Sequence, residues 1–149
     1  MLHLTLEATF GEARPHQRRL MSTPFKPEGY TSVAPYLVVD GAQATIDFLK
    51  QVFGATDLRR FPDDSGRLLH AEVRIDDTVV MIADAAPPHW PAVPAHVHVY
   101  VHDVDAVYRS ALAAGATPVQ EPVRKSDEDK RGGFTDVGGI TWWVATKVE

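Results

Sequence analysis

Valine alternates with polar or aromatic residues along "HVHVYVHD", residues 96 to 103. A strand with that period of two puts Val97, Val99 and Val101 on one face and His96, His98, Tyr100 and His102 on the other. The period changes in "GAQATIDFLKQVFGA", residues 41 to 55. There Ala44, Ile46, Phe48, Leu49, Val52 and Phe53 include the i, i+3, i+4 and i+7 spacings of a helical stripe, and Gly54 supplies the stop. Before it, "SVAPYLVVD" at 32 to 40 reads as a strand, its proline tolerable near the start of an edge strand. After it come three strand signals, "TDLRRF" at 56 to 61, "RLLHAEVRI" at 67 to 75 and "TVVMIA" at 78 to 83. They are separated by "PDDSG" and "DD", turn chemistry that suits antiparallel hairpins.

Beyond "APPHWPAVPA", residues 86 to 95, the order begins again. The strand at 96 to 103 leads into the helix "VDAVYRSALAAGA", a short strand "TPVQEP", a charged loop, "RGGFTD" and "ITWWVAT". The halves match at an offset near 62: Asp40 with Asp103, the "GAT" at 54 to 56 with that at 115 to 117, and "VVMIA" with "WWVAT". The chain therefore reads as an α+β protein of two tandem βαβββ modules. Each is too small to bury a face alone, so eight strands form one curved sheet system with helices on its outer face and a hollow, or cup, on the other. The expected organisation is an extension at 1 to 29, poorly ordered and with Met21 as the natural start, a first module at 30 to 85, a linker at 86 to 95, and a second module at 96 to 149.

Composition narrows the function classes. With 149 residues, 44% hydrophobic and 23% charged, the chain suits one soluble domain, and no apolar run approaches the roughly 20 residues of a membrane span. A net charge of -5 with mixed signs offers no basic stripe for nucleic acid. The first twenty residues carry Glu7 and Glu12 and no apolar core of signal-peptide length, so the cytoplasm is the default compartment. Without cysteine there is no disulfide, thiolate nucleophile or sulfur ligand, and any metal must be held by His, Asp or Glu. The nucleophile elbow, the phosphate-binding loop and the dinucleotide fingerprint are all absent.

The segments "PYLVVDGAQATIDFLKQVFGA", "LLHAEVRIDDTVVMIAD", "VYVHDVDAVYRSALAAGA" and "DVGGITWWVAT" resemble the vicinal oxygen chelate superfamily, which includes glyoxalase I, extradiol dioxygenases, fosfomycin-modifying enzymes and bleomycin resistance proteins. They look most like its PhnB-like branch, and the resemblance spans residues 31 to 147. It implies a homodimer whose cups are completed by the partner chain. It also implies metal ligands on the first and last strands of each module, at positions that here hold Val33, Met81, His96 and Trp143. Only His96 of these four can bind a metal. No metal or other cofactor is therefore expected, and no catalytic residue is assigned. The alternative is a divalent ion held by His70, Glu72 and His96, as in a metal-dependent lyase or dioxygenase of the glyoxalase I type.

Strand parity carries the preferred reading. Trp142 should pack toward the helix, while Trp143 enters the cup with Val33, Met81, His96, His98 and Tyr100, an apolar and aromatic lining suited to a small organic ligand. The charged run near Lys130 and Arg131 is either a solvated loop or a lid placing one of them over an anionic ligand. His98 and His102 at a subunit seam or in solvent, His89 and Trp90 packing the linker, and Asp84 capping a turn are the plain structural alternatives. An interaction module with no small-molecule role is the remaining rival.

Overall fold

The computed structural model describes residues 24–149; the expected start at Met21 and most of the expected extension lie outside these. Residues 24–30 contain a short turn in which the Tyr30 N–H donates to the Pro27 carbonyl at 3.2 Å. A compact unit spans Thr31 to Glu149. Its elements run β1 (Tyr36–Val39), α1 (Ala42–Phe53), β2 (Thr56–Pro62), β3 (Leu68–Ile75), β4 (Thr78–Asp84), β5 (Ala95–Tyr100), α2 (Val104–Ala113), β6 (Thr117–Arg124), β7 (Asp129–Thr135) and β8 (Ile140–Lys147).

The duplication is complete in the topology. Two four-stranded sheets have the orders β1-β4-β3-β2 and β5-β8-β7-β6. In each, the first strand is parallel to the fourth and the other pairs are antiparallel. The α+β reading of two tandem βαβββ modules therefore describes the fold.

Helix onsets show how the two modules solve one problem with different residues. Gly41 enters α1 in the left-handed region with no side-chain cap, so Asp84 at the end of β4 substitutes. One of its carboxylate oxygens accepts from Ala42 N–H at 2.7 Å and the other from Leu68 N–H at 2.8 Å. In the second module Asp103 caps α2 through Ala106 N–H at 3.0 Å. Thr146, on β8, accepts from Val104 N–H at 2.9 Å and donates to the Val101 carbonyl at 2.8 Å.

Both helices lie in one core between the sheets. Leu37, Val39, Val73, Val80 and Ile82 from the first sheet join Phe134, Ile140, Trp142 and Val144 from the second. Helix α1 bridges the two, because Phe53 meets Trp142 at 5.2 Å and Phe48 meets Phe134 at 6.0 Å between ring centroids. Gly138, in the β7–β8 turn, permits the same approach from the other side, since a Cβ there would lie 2.5 Å from Thr45 Oγ1 and 3.3 Å from Val39. Each sheet thus turns its helix-covered face inward, and its other face points away from that of its twin.

The turn itself is built on Asp136. Its buried carboxylate accepts from Gly138 N–H at 2.8 Å, Ile140 N–H at 3.0 Å and the Trp142 indole at 2.8 Å. Trp142 is fully buried, as alternation predicts for the helix-facing member of the pair.

Three sequence expectations need correction, the first being that the helices lie between two sheets and not on the outer face of one curved sheet, because both sheets pack apolar side chains on them. The first strand begins at Tyr36 rather than Ser32, because Pro35 has no N–H to give a ladder, and Val33 therefore lies outside the sheet with 83% of its surface exposed. The charged loop is also shorter than expected: β6 runs to Arg124 and β7 starts at Asp129, leaving four residues between them. Lys130 is thus a strand residue, and it binds Asp105 of α2 at 2.8 Å. Successive strand residues point to opposite faces, so Lys130 turns toward α2 and Arg131 toward the open face, and neither stands on a loop that could form the expected lid.

Candidate functional site

The open face of the second sheet gathers most of the residues that the alternating pattern singles out. His96, His98 and Tyr100 project from β5, Trp143 from the neighbouring β8, and Arg131 from β7. Trp143 lies opposite Gly133 in the β7–β8 ladder, and a Cβ at that glycine would come within 2.7 Å of two indole carbons. The bare backbone is what lets the ring lie flat. So seated, the indole N–H donates to His96 Nδ1 at 3.0 Å, with the two rings within 13° of parallel.

Beside this pair runs a charged network. Arg131 reaches Asp129 at 2.9 Å, Asp127 at 3.2 Å and His98 Nε2 at 3.1 Å. The Tyr100 hydroxyl donates to the same buried Asp129 at 2.8 Å, a bond that pushes the phenol above its ordinary range. Burial, then the adjoining Arg131 charge, holds the His98 imidazole below its usual value despite Asp129 and Asp127. Arg131 is therefore engaged within the protein.

Met81 stands on the other sheet, half-buried and level with Tyr36 on one side and Glu72 on the other. His70 Nε2 binds Glu72 at 2.7 Å, and His70 Nδ1 binds the Tyr36 hydroxyl at 3.1 Å. Glu72 is 4% exposed, with Arg59 3.8 Å from its other oxygen. Val33, Met81, His96 and Trp143 thus do not share a hollow within one chain, and His96 is on a different sheet from His70 and Glu72.

These bonds also test the donor set against a metal. A neutral imidazole ligates through the nitrogen without a proton. In His96 that nitrogen accepts from Trp143, and in His70 both nitrogens are occupied by Tyr36 and Glu72. Among the described residues no three His, Asp or Glu side chains converge in a way that would hold an ion. The residues present do not fit the metal that the fold implies.

The open face of the first sheet carries a cavity of about 540 Å³, lined by Tyr36, Val38, Leu69, Ala83 and Trp90 together with Arg67 and Asp84. Trp90 is brought there by the linker, which closes on itself: Ala86 and Trp90 exchange backbone hydrogen bonds of 2.6 and 2.9 Å, and Val93 N–H donates to Val38 at 3.2 Å. Sequence pattern did not mark Tyr36, Arg67 or Leu69. Gly133 and Asp129 were equally silent, though a glycine opposite a strand tryptophan is a readable signal once the register is known.

The family model described as Glyoxalase/Bleomycin resistance protein/Dioxygenase superfamily matches residues 29–144. An uncharacterised protein of Mycobacterium tuberculosis is 34% identical over 148 residues, covering 93% of this chain and 85% of its own. One from Mycobacterium bovis is 36% identical over 127 residues, covering 78% and 84%. Among solved structures, TioX from Micromonospora superposes with a TM-score of 0.63 at 24% identity over 78% of this chain and 99% of its own. A PhnB protein from Bacillus cereus superposes with a TM-score of 0.64 at 18% identity over the same shares.

Proposed function

The chain belongs to the glyoxalase/bleomycin resistance protein/dioxygenase superfamily, and from that premise we propose that it binds a small organic molecule without a metal ion, in cups that two copies close between them. The observation that carries this reading is the indole of Trp143, laid on Gly133 and bonded to His96. It takes the lone pair of the one imidazole at a family ligand position and puts an aromatic wall where a carboxylate ligand would stand. Flat aromatic and aliphatic side chains bind organic surface well and bind cations such as zinc or manganese poorly.

The inward packing of the helices supports the dimer in this reading. Each chain presents two open faces on opposite sides, and exposed Tyr36, Phe61, Leu69, Trp90 and Tyr100 stand on or beside them. A second copy that set its second sheet over the first sheet of its partner would cover this apolar surface and make two cups.

Metal content of protein purified without chelators, followed by melting with added nickel, zinc, manganese or iron(II), tests the first half of the proposal. The expected result is a substoichiometric metal content and no stabilisation. A stoichiometric ion that raises the melting temperature would overturn it in favour of a metal-dependent lyase or dioxygenase. Light scattering at micromolar concentration tests the second half, with a dimer expected and a monomer contrary.

A further inference from the structure

The cavity on the first sheet has a polar feature that its apolar lining does not require. Arg67 enters β3 directly after a tight turn in which one Asp63 carboxylate oxygen accepts from Ser65 N–H, Ser65 Oγ and Arg67 N–H, at 2.9, 2.7 and 3.0 Å. This carboxylate is held below its ordinary range first by the Ser65 hydroxyl and then by the backbone bonds, with the Arg67 charge adding less. The turn thus fixes the Arg67 backbone, and Arg67 forms part of the cavity lining.

The Arg67 guanidinium has no hydrogen-bond or ion-pair partner among the described residues. Its Nε–H is buried and bonded to nothing among the described residues, and no described carboxylate comes within ion-pair distance of the group. Asp84, which also lines the cavity, has both oxygens committed to the backbone N–H groups of Ala42 and Leu68. This cation is set against apolar walls, and the Asp63 carboxylate acts on it only from beyond ion-pair distance, so an anion brought to the cavity gives it a direct partner.

We infer that this cavity takes an organic anion: a carboxylate held by the Arg67 guanidinium, with its flat apolar body against Tyr36, Leu69, Ala83 and Trp90. The inference rests on the small-molecule reading above and deepens it by naming the ligand's charge. One planar wall comes from the first strand's opening residue and the other from the linker hairpin between the repeats. Arginine suits the task because its planar fork meets a carboxylate with two parallel bonds, which a lysine cannot do.

Three probes of one shape separate charge from shape: biphenyl-4-carboxylate, biphenyl-4-carboxamide and biphenyl-4-ylmethylamine. Each is titrated into the full chain by calorimetry, with melting measured in parallel. The carboxylate should bind at least about tenfold more tightly than the amide, and the amine more weakly than either. Arg67→Gln should bring the carboxylate down to the amide's affinity and leave the amide unchanged. Trp90→Ala should weaken all three alike. Arg67→Lys, which keeps the charge, serves if the glutamine variant does not fold, and should recover only part of the preference.

Equal affinity for carboxylate and amide, or a preference for the amine, would overturn the anion assignment while leaving small-molecule binding intact. A carboxylate preference that survives Arg67→Gln would overturn the role of Arg67. Silence from all three probes would overturn this inference as well, whereas the metal-free reading is decided by metal content and stands or falls separately.

Discussion

Replacing Gly133 with alanine tests how the aromatic wall of the second sheet is held. The new Cβ would lie 2.7 Å from two carbons of the Trp143 ring, closer than any stable contact, so something must move. Strand β7 is paired on both sides and cannot shift readily, whereas Trp143 is only half-buried and its ring can swing outward. That swing gives up the hydrogen bond to His96, about 0.5–1.5 kcal/mol, and its ring contact, about 0.5–1.5 kcal/mol. Removing a glycine from a strand interior returns about 0.5–1 kcal/mol. The net expectation is a loss of about 1 kcal/mol, or a melting temperature lower by about 3–6 °C.

The site should register the change more sharply than the stability. In a proton–nitrogen NMR spectrum of the three tryptophans, the Trp143 indole signal, assigned from its absence in Trp143→Phe, should move and exchange faster with water. An unmoved indole signal with an unchanged melting temperature would refute the reasoning, because it would mean the ring does not rest on Gly133. A loss of about 3 kcal/mol would also count against it, by showing that the backbone yields instead of the ring.

Asp136→Ala should cost about 3 kcal/mol, since two buried N–H donors and a part-buried one lose their shared acceptor; urea unfolding measures this, and Trp142→Phe should cost less in that background than alone. Gly138→Ala should destabilise by about 1–3 kcal/mol through the contact with Thr45 and Val39. Thr45→Ala, which removes a buried hydroxyl with no partner, should relieve part of that loss, and strict additivity would contradict the proposed contact. His98 has a folded pKa below the usual 6.5, so the unfolded chain binds the extra proton first and stability falls as pH drops from 6.5 toward the folded value. His98→Gln should flatten the dependence of melting temperature on pH between about 5 and 7, and an unaltered slope would assign it elsewhere.

The repeat was readable because two periods, 2 and 3.6, recur in the same order, and local chemistry at each junction agrees with them. Alternation also placed Trp142 inward and Trp143 outward, a consequence of backbone geometry alone. Which face of one module meets the other is decided by contacts such as Phe53 with Trp142, and those join residues far apart in the chain. The expectation of a single hollow containing Val33, Met81, His96 and Trp143 within one chain failed for that reason. Val33 was lost to a proline two residues later, and Lys130 to a ladder that extends into a charged segment. Arg67 and Trp90 lie in a turn exit and a linker, where no periodicity marks a side chain's direction.

Because the helices are sandwiched, every inward residue answers to both repeats at once, whereas outward positions answer only to whatever docks on them. Divergence after duplication is accordingly cheapest on the outer surfaces. The equivalent pair Met81 and Trp143 there is unlike in kind. A chain arranged this way can retool either surface for a new chemical task without renegotiating its interior.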